Sequence, residues 1–331
     1  MGYASNELPA PAMGAMRGKV CVVTGGSAGI GTQTALGLAR LGATVTIVGR
    51  DPLATAAAVG EIRSRSGNAR VEALLADFSS QAAVRRLAAE VARRHECVDV
   101  LINNAGTTRT RREVTEDGIE LQFAVNHLAP YLLTRLLLPL LRASAAARVV
   151  TVSSDIHRRA AIDFADLQGE RRYSGSRAYA RSKLANVLFT YELARRLEGT
   201  TATVNCLHPG IIAGSSFGRN YPGYIQPALR LLAALPLPFI TSVEDGATTS
   251  LYLASSPEVA TVTGRYFVKC RPVRSAAATY DRAAQGRLWE VSARLTGLPP
   301  DLDLDTAVEP PAAQRSAQRD DAARLTTRPH P

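Results

Sequence analysis

Lys19-Val20-Cys21-Val22-Val23-Thr24-Gly25-Gly26-Ser27-Ala28-Gly29-Ile30-Gly31 is the stretch from which the architecture follows. Lys19–Thr24 is a short, mostly β-branched apolar run closed by glycine, which reads as a buried strand. Apolar residues at helical spacing then run over Gly29–Leu41. Glycines at 25, 29 and 31 let the backbone turn tightly between the two elements. A helix entered this way presents free N–H groups and the positive end of its dipole to a pyrophosphate. Gly25, Ser27, Gly29, Ile30 and Gly31 are therefore the candidates for holding a dinucleotide.

The same alternation continues outward from this turn. Strands are expected at Thr44–Val48, Val71–Ala76, Val98–Ile102, Arg148–Val152, Ala202–Leu207 and Arg265–Lys269. Helices are expected at Leu53–Ser64, Ala82–Arg94 and Ala178–Leu197. The early strands are continuously apolar rather than alternating, as parallel strands covered on both faces must be. The pattern predicts one α/β domain, a doubly wound Rossmann-type fold with an open, mostly parallel sheet flanked by helices. It spans residues 17–298, with a flexible N-terminus over 1–16 and a disordered C-terminal tail over 299–331. Residues 215–240, punctuated by Pro and Gly and then strongly apolar, follow a strand's C-terminal end and form a candidate substrate lid.

Composition excludes several other classes. Of 331 residues, 46% are hydrophobic, too many for a disordered chain. The longest apolar stretches, Leu128–Leu141 and Ala228–Ile240, carry Arg135 and Arg230 and fall short of the ~20 residues of a span. The N-terminal residues show no basic-then-apolar signal pattern, and the four cysteines lack paired spacing. A cytoplasmic protein is expected. The net charge of +10 resides in scattered Arg-Arg pairs, and at 5% aromatic the chain has few stacking platforms for nucleic acid.

Two further motifs carry chemistry. The second strand ends in Val48-Gly49-Arg50-Asp51, where an acid would hold a ribose 2′-hydroxyl and an arginine a 2′-phosphate. Arg50 offers the fork that phosphate wants. Asp51, with Pro52 after it, reads as the next helix's N-cap, so NADP(H) is preferred over NAD(H). Tyr179-Ala-Arg-Ser-Lys183 lies in a helical pattern, where residues four apart share a face. The ammonium is expected to lower the phenol's pKa and suit it to general acid/base work.

Asn103-Asn104-Ala105-Gly106 after the fourth strand and Ser153-Ser154 after the fifth complete a set. In these residues the chain resembles the short-chain dehydrogenase/reductase family. Val125-Asn126-His127-Leu128, Asp166-Leu167-Gln168-Gly169-Glu170, Ser182-Lys183-Leu184-Ala185-Asn186 and His208-Pro209-Gly210 point to its retinol-dehydrogenase-like branch. Thr263-Gly264-Arg265-Tyr266-Phe267 and Leu288-Trp289-Glu290 extend the likeness nearly to the tail.

The resemblance implies catalytic roles for Ser154, Tyr179, Lys183 and Asn126. Tyr179 would be the general acid/base, and Lys183 would tune it and hold the nicotinamide ribose. Ser154 would bond the substrate oxygen, with Ser153 as its competitor, and Asn126 would hold a water beside the lysine. Asp77 and Phe78 match the adenine contacts, Asn104, Ala105 and Gly106 the ribose side, and Pro209, Gly210 and Ile212 the carboxamide turn. Gly214 replaces a frequent cofactor-touching Thr, with Ser215 or Ser216 as substitutes. His157 is a possible lining residue of the substrate mouth, and the chemistry calls for no metal.

These readings imply reversible, NADP(H)-dependent reduction of a ketone or aldehyde. The apolar run Leu229–Ile240 suggests a bulky hydrophobic substrate, and the Ala/Arg-rich composition suggests a GC-rich bacterial genome, where enzymes of this kind often tailor secondary metabolites. The alternatives are retinol-dehydrogenase-like alcohol oxidation, C=C reduction, a non-catalytic NADP(H)-binding regulator and a membrane-surface enzyme. Family members are commonly homodimers or homotetramers, so a homo-oligomer is expected.

Overall fold

The computed structural model describes residues 14–212 and 240–302. The proposed lid, Gly214, most of the tail and residues 1–13 lie outside them. Strands β1 (Val20–Thr24), β2 (Thr44–Gly49), β3 (Val71–Leu75), β4 (Val100–Asn103), β5 (Arg148–Val152), β6 (Thr203–His208), β9 (Arg265–Val268) and β10 (Arg271–Val273) form one sheet. Its order is β10-β9-β6-β5-β4-β1-β2-β3, and every pair is parallel except β10 on β9. A separate parallel pair joins β7 (Ile211–Ile212) to β8 (Ile240–Thr241). The doubly wound Rossmann-type sheet is thus present, with its topological switch between β1 and β4.

Helices cover both faces. On one lie α1 (Gly29–Arg40), α2 (Pro52–Ser66) and α6 (Val243–Ser255), and on the other α3 (Gln81–Arg94), α4 (Leu121–Ala143), α5 (Gly175–Arg196) and α7 (Arg282–Thr296). β1 shows why its residues are apolar without alternation. Val22 packs with Val84, Tyr131 and Phe189, whereas Cys21 and Val23 pack with Leu38, Ile62 and Leu253 on the opposite face.

The structure adds elements that the sequence pattern did not announce. β10 is an exposed edge strand reached through left-handed Lys269 and Cys270, too short for a periodic signal. In α4 the chain widens into a π-turn over Ala124–Leu128. Pro130 follows it and has no N–H to return to the Asn126 carbonyl, which favours a break in the α-ladder there. By length and composition α4 is apolar enough to cross a membrane, but most of it is buried inside the fold. Pro299–Leu302, expected at the start of the disordered tail, dock on this side: Trp289 Nε1 donates to the Pro300 carbonyl at 2.6 Å, and Leu302 packs on the core.

The N-terminal ends of β1 and β4 are clamped by Asp99. Its carboxylate accepts from the Val20 N–H at 2.8 Å, the Ser144 hydroxyl at 2.7 Å and the Lys19 ammonium at 3.0 Å. Burial alone would raise this carboxyl, but the three hydrogen bonds outweigh burial and hold it below its ordinary value. Its contribution is therefore full above the unfolded pKa of about 4 and is lost as pH falls through the lower folded value. Asp99→Ala strands the buried Ser144 hydroxyl and the half-buried Val20 N–H and should cost about 3 kcal/mol. Urea unfolding at pH 7 and pH 3 tests this: a variant as stable as wild type at pH 7 would remove the clamp from the account.

Candidate active site

The glycine turn and the end of β4 are laced together at the switch point. Thr24 Oγ1 donates to the Ile102 carbonyl at 3.2 Å and accepts from the Asn104 and Ala105 N–H groups at 2.9 and 3.0 Å. The Asn104 carboxamide donates back to the carbonyls of Thr24 and Gly25. A Cβ at Gly31 would stand 2.1 Å from the Gly25 carbonyl oxygen, so only glycine lets α1 start this close to the strand. The α1 N-cap, Ala28, supplies no side-chain acceptor, and no acid lies in the first turn. Its N–H groups therefore remain for an anionic ligand, and the cradle fits a dinucleotide pyrophosphate.

The adenosine end is built from β2 and β3. Asp51 accepts from the Ala54 N–H at 2.7 Å with Pro52 at the first helical position, as expected of an N-cap. That leaves exposed Arg50 as the free-standing charge beside Gly49. Ser27 reaches the same corner, since a Cβ at Gly49 would lie 3.0 Å from its hydroxyl. Asp77 spends one carboxylate oxygen on the Ser79 N–H and hydroxyl. Phe78 is half-buried against the core.

The reactive groups converge where β4, β5 and α5 meet. The Ser154 hydroxyl stands beside the Tyr179 phenol, where its interaction favours the ionised form, and its oxygen also faces the Ile156 N–H at 3.5 Å. Ser153 instead points away and donates to the Lys183 carbonyl at 2.8 Å, so strand alternation selects Ser154. Lys183 is buried, and its Nζ donates to the Val152 carbonyl at 2.9 Å. A Cβ at Gly106 would stand 3.6 Å from that Nζ and 3.4 Å from the Asn126 carboxamide oxygen, which brings the three together.

The expected pKa logic needs correction. Lys183 Nζ lies 5.6 Å from the Tyr179 ring centroid and gives one of its three N–H donors to Val152. Burial pushes the phenol above its usual range, and only the Ser154 hydrogen bond opposes that. Burial also pulls the Lys183 ammonium down to about 8. Tyr179 is therefore a neutral, protonated phenol at pH 7, a proton donor in waiting.

Asn126 shows a bracing role beside the one implied. Its carboxamide accepts from the Thr107 N–H at 2.7 Å and donates to the Thr107 carbonyl and the Ser182 hydroxyl. Ser182 in turn donates to the Tyr179 carbonyl at 2.7 Å. The loop after β4 is thus tied to the helix that carries Tyr179. Thr107 carries no local signal in the sequence, and Ser182 appears there only as part of the motif that ends in Asn186, with no sign of this contact.

The turn after β6 reaches the cradle through α6. Gly210 follows Pro209 with φ +94°, and a Cβ there would meet the Thr241 hydroxyl at 2.2 Å. A Cβ at Gly246 would lie 2.5 Å from Ile212 and 3.3 Å from Ile30, so these two expected cofactor contacts face one packing site. Thr241 and Gly246 are likewise legible only in space. His157 corrects an expectation: it is buried, with its ring turned inward onto Tyr266.

A pyrophosphate cradle beside a Ser–Tyr–Lys cluster defines a nicotinamide-dinucleotide oxidoreductase. The short chain dehydrogenase family pattern matches residues 19–222. The chain belongs to the short-chain dehydrogenase/reductase family, in its retinol-dehydrogenase-like branch, and is an oxidoreductase acting on CH–OH groups. It is 42% identical over 300 residues to retinol dehydrogenase 14 of Homo sapiens, covering 86% of this chain and 88% of that protein. Human retinol dehydrogenase 13 is 43% identical over 299 residues, 87% of each chain. Among solved structures, an uncharacterized protein from Mycobacterium paratuberculosis superposes with a TM-score of 0.69 at 32% identity, over 88% of this chain and 99% of that one. A short chain dehydrogenase from Burkholderia cenocepacia in complex with NADP does so with a TM-score of 0.61 at 29% identity, over 76% and 96%.

Proposed function

We propose that the protein is an NADP(H)-dependent reductase of ketones or aldehydes, working reversibly on a bulky hydrophobic substrate. The observation that carries this reading is the convergence of Ser154, Tyr179 and buried Lys183 at the ends of β4 and β5, beside the glycine cradle. A phenol placed there can give its proton to a carbonyl oxygen in reduction and take one from an alcohol in the reverse direction. When bound, the nicotinamide supplies the hydride. Ser154 fixes the substrate oxygen, Tyr179 passes its proton to that oxygen, and Lys183 holds the cofactor's ribose. Asn126 keeps the loop after β4 against α5 while this happens, and a water it holds beside Lys183 would return the proton.

Three further points belong to the same proposal. The Burkholderia relative holds NADP, which together with Arg50 favours NADP(H) over NAD(H). Relatives named for retinol favour a large apolar alcohol–aldehyde pair, so alcohol oxidation is the second reading. A cytoplasmic location, a homo-oligomer and a place in secondary metabolism rest on the sequence alone.

Arg50→Ala should raise the KM for NADPH about tenfold and leave that for NADH little changed, because only NADPH carries the second phosphate. Initial rates with both cofactors give the ratio directly. Equal losses for the two would transfer the preference to another residue. The function itself is tested by NADPH oxidation against a panel of bulky ketones and aldehydes, with retinal and an activated alkene included. Turnover confined to the alkene would replace the carbonyl reading.

A further inference from the structure

His157 lies three residues beyond Ser154, and its ring turns back onto it. We infer that His157 is a positioning residue for Ser154, holding that residue's carbonyl so that its hydroxyl meets Tyr179. The inference rests on the role proposed above for Ser154.

Two main-chain groups fix the state of the ring. Nε2 faces the Ala276 N–H at 3.1 Å, and a main-chain N–H can only donate, so Nε2 carries the lone pair. The proton is then on Nδ1, where it meets the Ser154 carbonyl at 2.7 Å. The His157 main-chain N–H reaches the same carbonyl at 3.1 Å. The ring is buried and edge-packed on Tyr266, with centroids 4.8 Å apart. Burial also lowers its pKa, in keeping with the neutral form.

This leaves Ser154 little freedom. On its N-terminal side the Ser153 N–H donates to the Leu207 carbonyl at 2.8 Å, which anchors it to β6. On its C-terminal side both donors of His157 hold its carbonyl. Only χ1 is left to aim the hydroxyl, whose oxygen faces the Ile156 N–H at 3.5 Å and whose proton is left for the Tyr179 side. Catalysis depends on such small angular tolerances. Ala276 belongs to the segment after β10, whose Ser275 bonds Tyr191 of α5 at 2.7 Å, so a remote piece of chain sets the ring.

Two isosteric substitutions separate positioning from scaffolding. Asn places an amide nitrogen near Nδ1 and keeps the donor to Ser154, whereas Gln places an amide oxygen near Nε2 and keeps the acceptor for Ala276. With a bulky ketone that the wild-type enzyme reduces, H157N should keep kcat within about threefold and H157Q should lose about tenfold or more. The NADPH dissociation constant, followed by its fluorescence, should stay unchanged in both. Wild-type kcat in H157Q, equal losses in the two variants, or a loss seen only as weaker NADPH binding or a lower Tm would each overturn the inference. Ser154→Ala is run alongside. Full turnover in that variant would overturn the Ser154 role itself, and an inactive Ser154→Ala with an active H157Q would overturn only the His157 role.

Discussion

Tyr179→Phe should lower kcat by about a thousandfold, the upper part of what one positioned proton donor contributes. The substitution removes one oxygen from a side chain whose ring is held by α5 and flanked by Lys183. The Ser154 hydroxyl loses its partner there, but the pyrophosphate cradle of Thr24, Gly25, Gly31 and Asn104 is untouched. NADPH affinity should therefore stay within about twofold, which assigns the loss to the proton-transfer step. Single-turnover NADPH oxidation beside equilibrium binding separates the two. A variant that turned over normally would remove Tyr179 from the chemistry. A wild-type protein that bound NADPH tightly and reduced nothing would be the non-catalytic regulator.

Gly31→Val should abolish NADPH binding and cost about 3 kcal/mol of stability, in the range of overpacked sites. The reason is steric. The first added carbon would stand 2.1 Å from the Gly25 carbonyl oxygen and 2.6 Å from the Asn104 carboxamide, and neither can retreat. Asn104 is held by the Thr24 and Gly25 carbonyls, and Gly25 sits in a left-handed turn at φ +65°. Relief requires α1 to back away from β1, which withdraws its N–H groups from the pyrophosphate. Thermal unfolding with and without NADPH reads both effects. If saturating NADPH still raised the variant's Tm as it does the wild type's, the helix terminus would not be where the phosphates sit.

Much of the architecture is legible without coordinates, because it is set by interactions a few residues long. Continuous apolar runs announce two-sided burial, glycines at 25, 29 and 31 announce a turn into a helix, and Asp51-Pro52 announces a cap. β10 escapes because three exposed residues carry no period. The π-turn in α4 escapes because Pro130 marks a break without saying which kind. At the site, Tyr179 and Lys183 are readable from helical spacing, whereas Thr107, Ser182 and Thr241 are ordinary polar residues until the fold assembles them.

Local periodicity and short motifs carry the βαβ order, the glycine cradle and the candidates Tyr179 and Lys183. Long-range packing sets what no motif carries: Ser153 turns to the Lys183 carbonyl and leaves Ser154 on the Tyr179 side, Lys183 is buried, and His157 faces inward. Those outcomes depend on contacts such as His157 with Ala276, 119 residues apart. Desolvation and hydrogen-bond direction belong to the packed arrangement and have no signature in a window of neighbours.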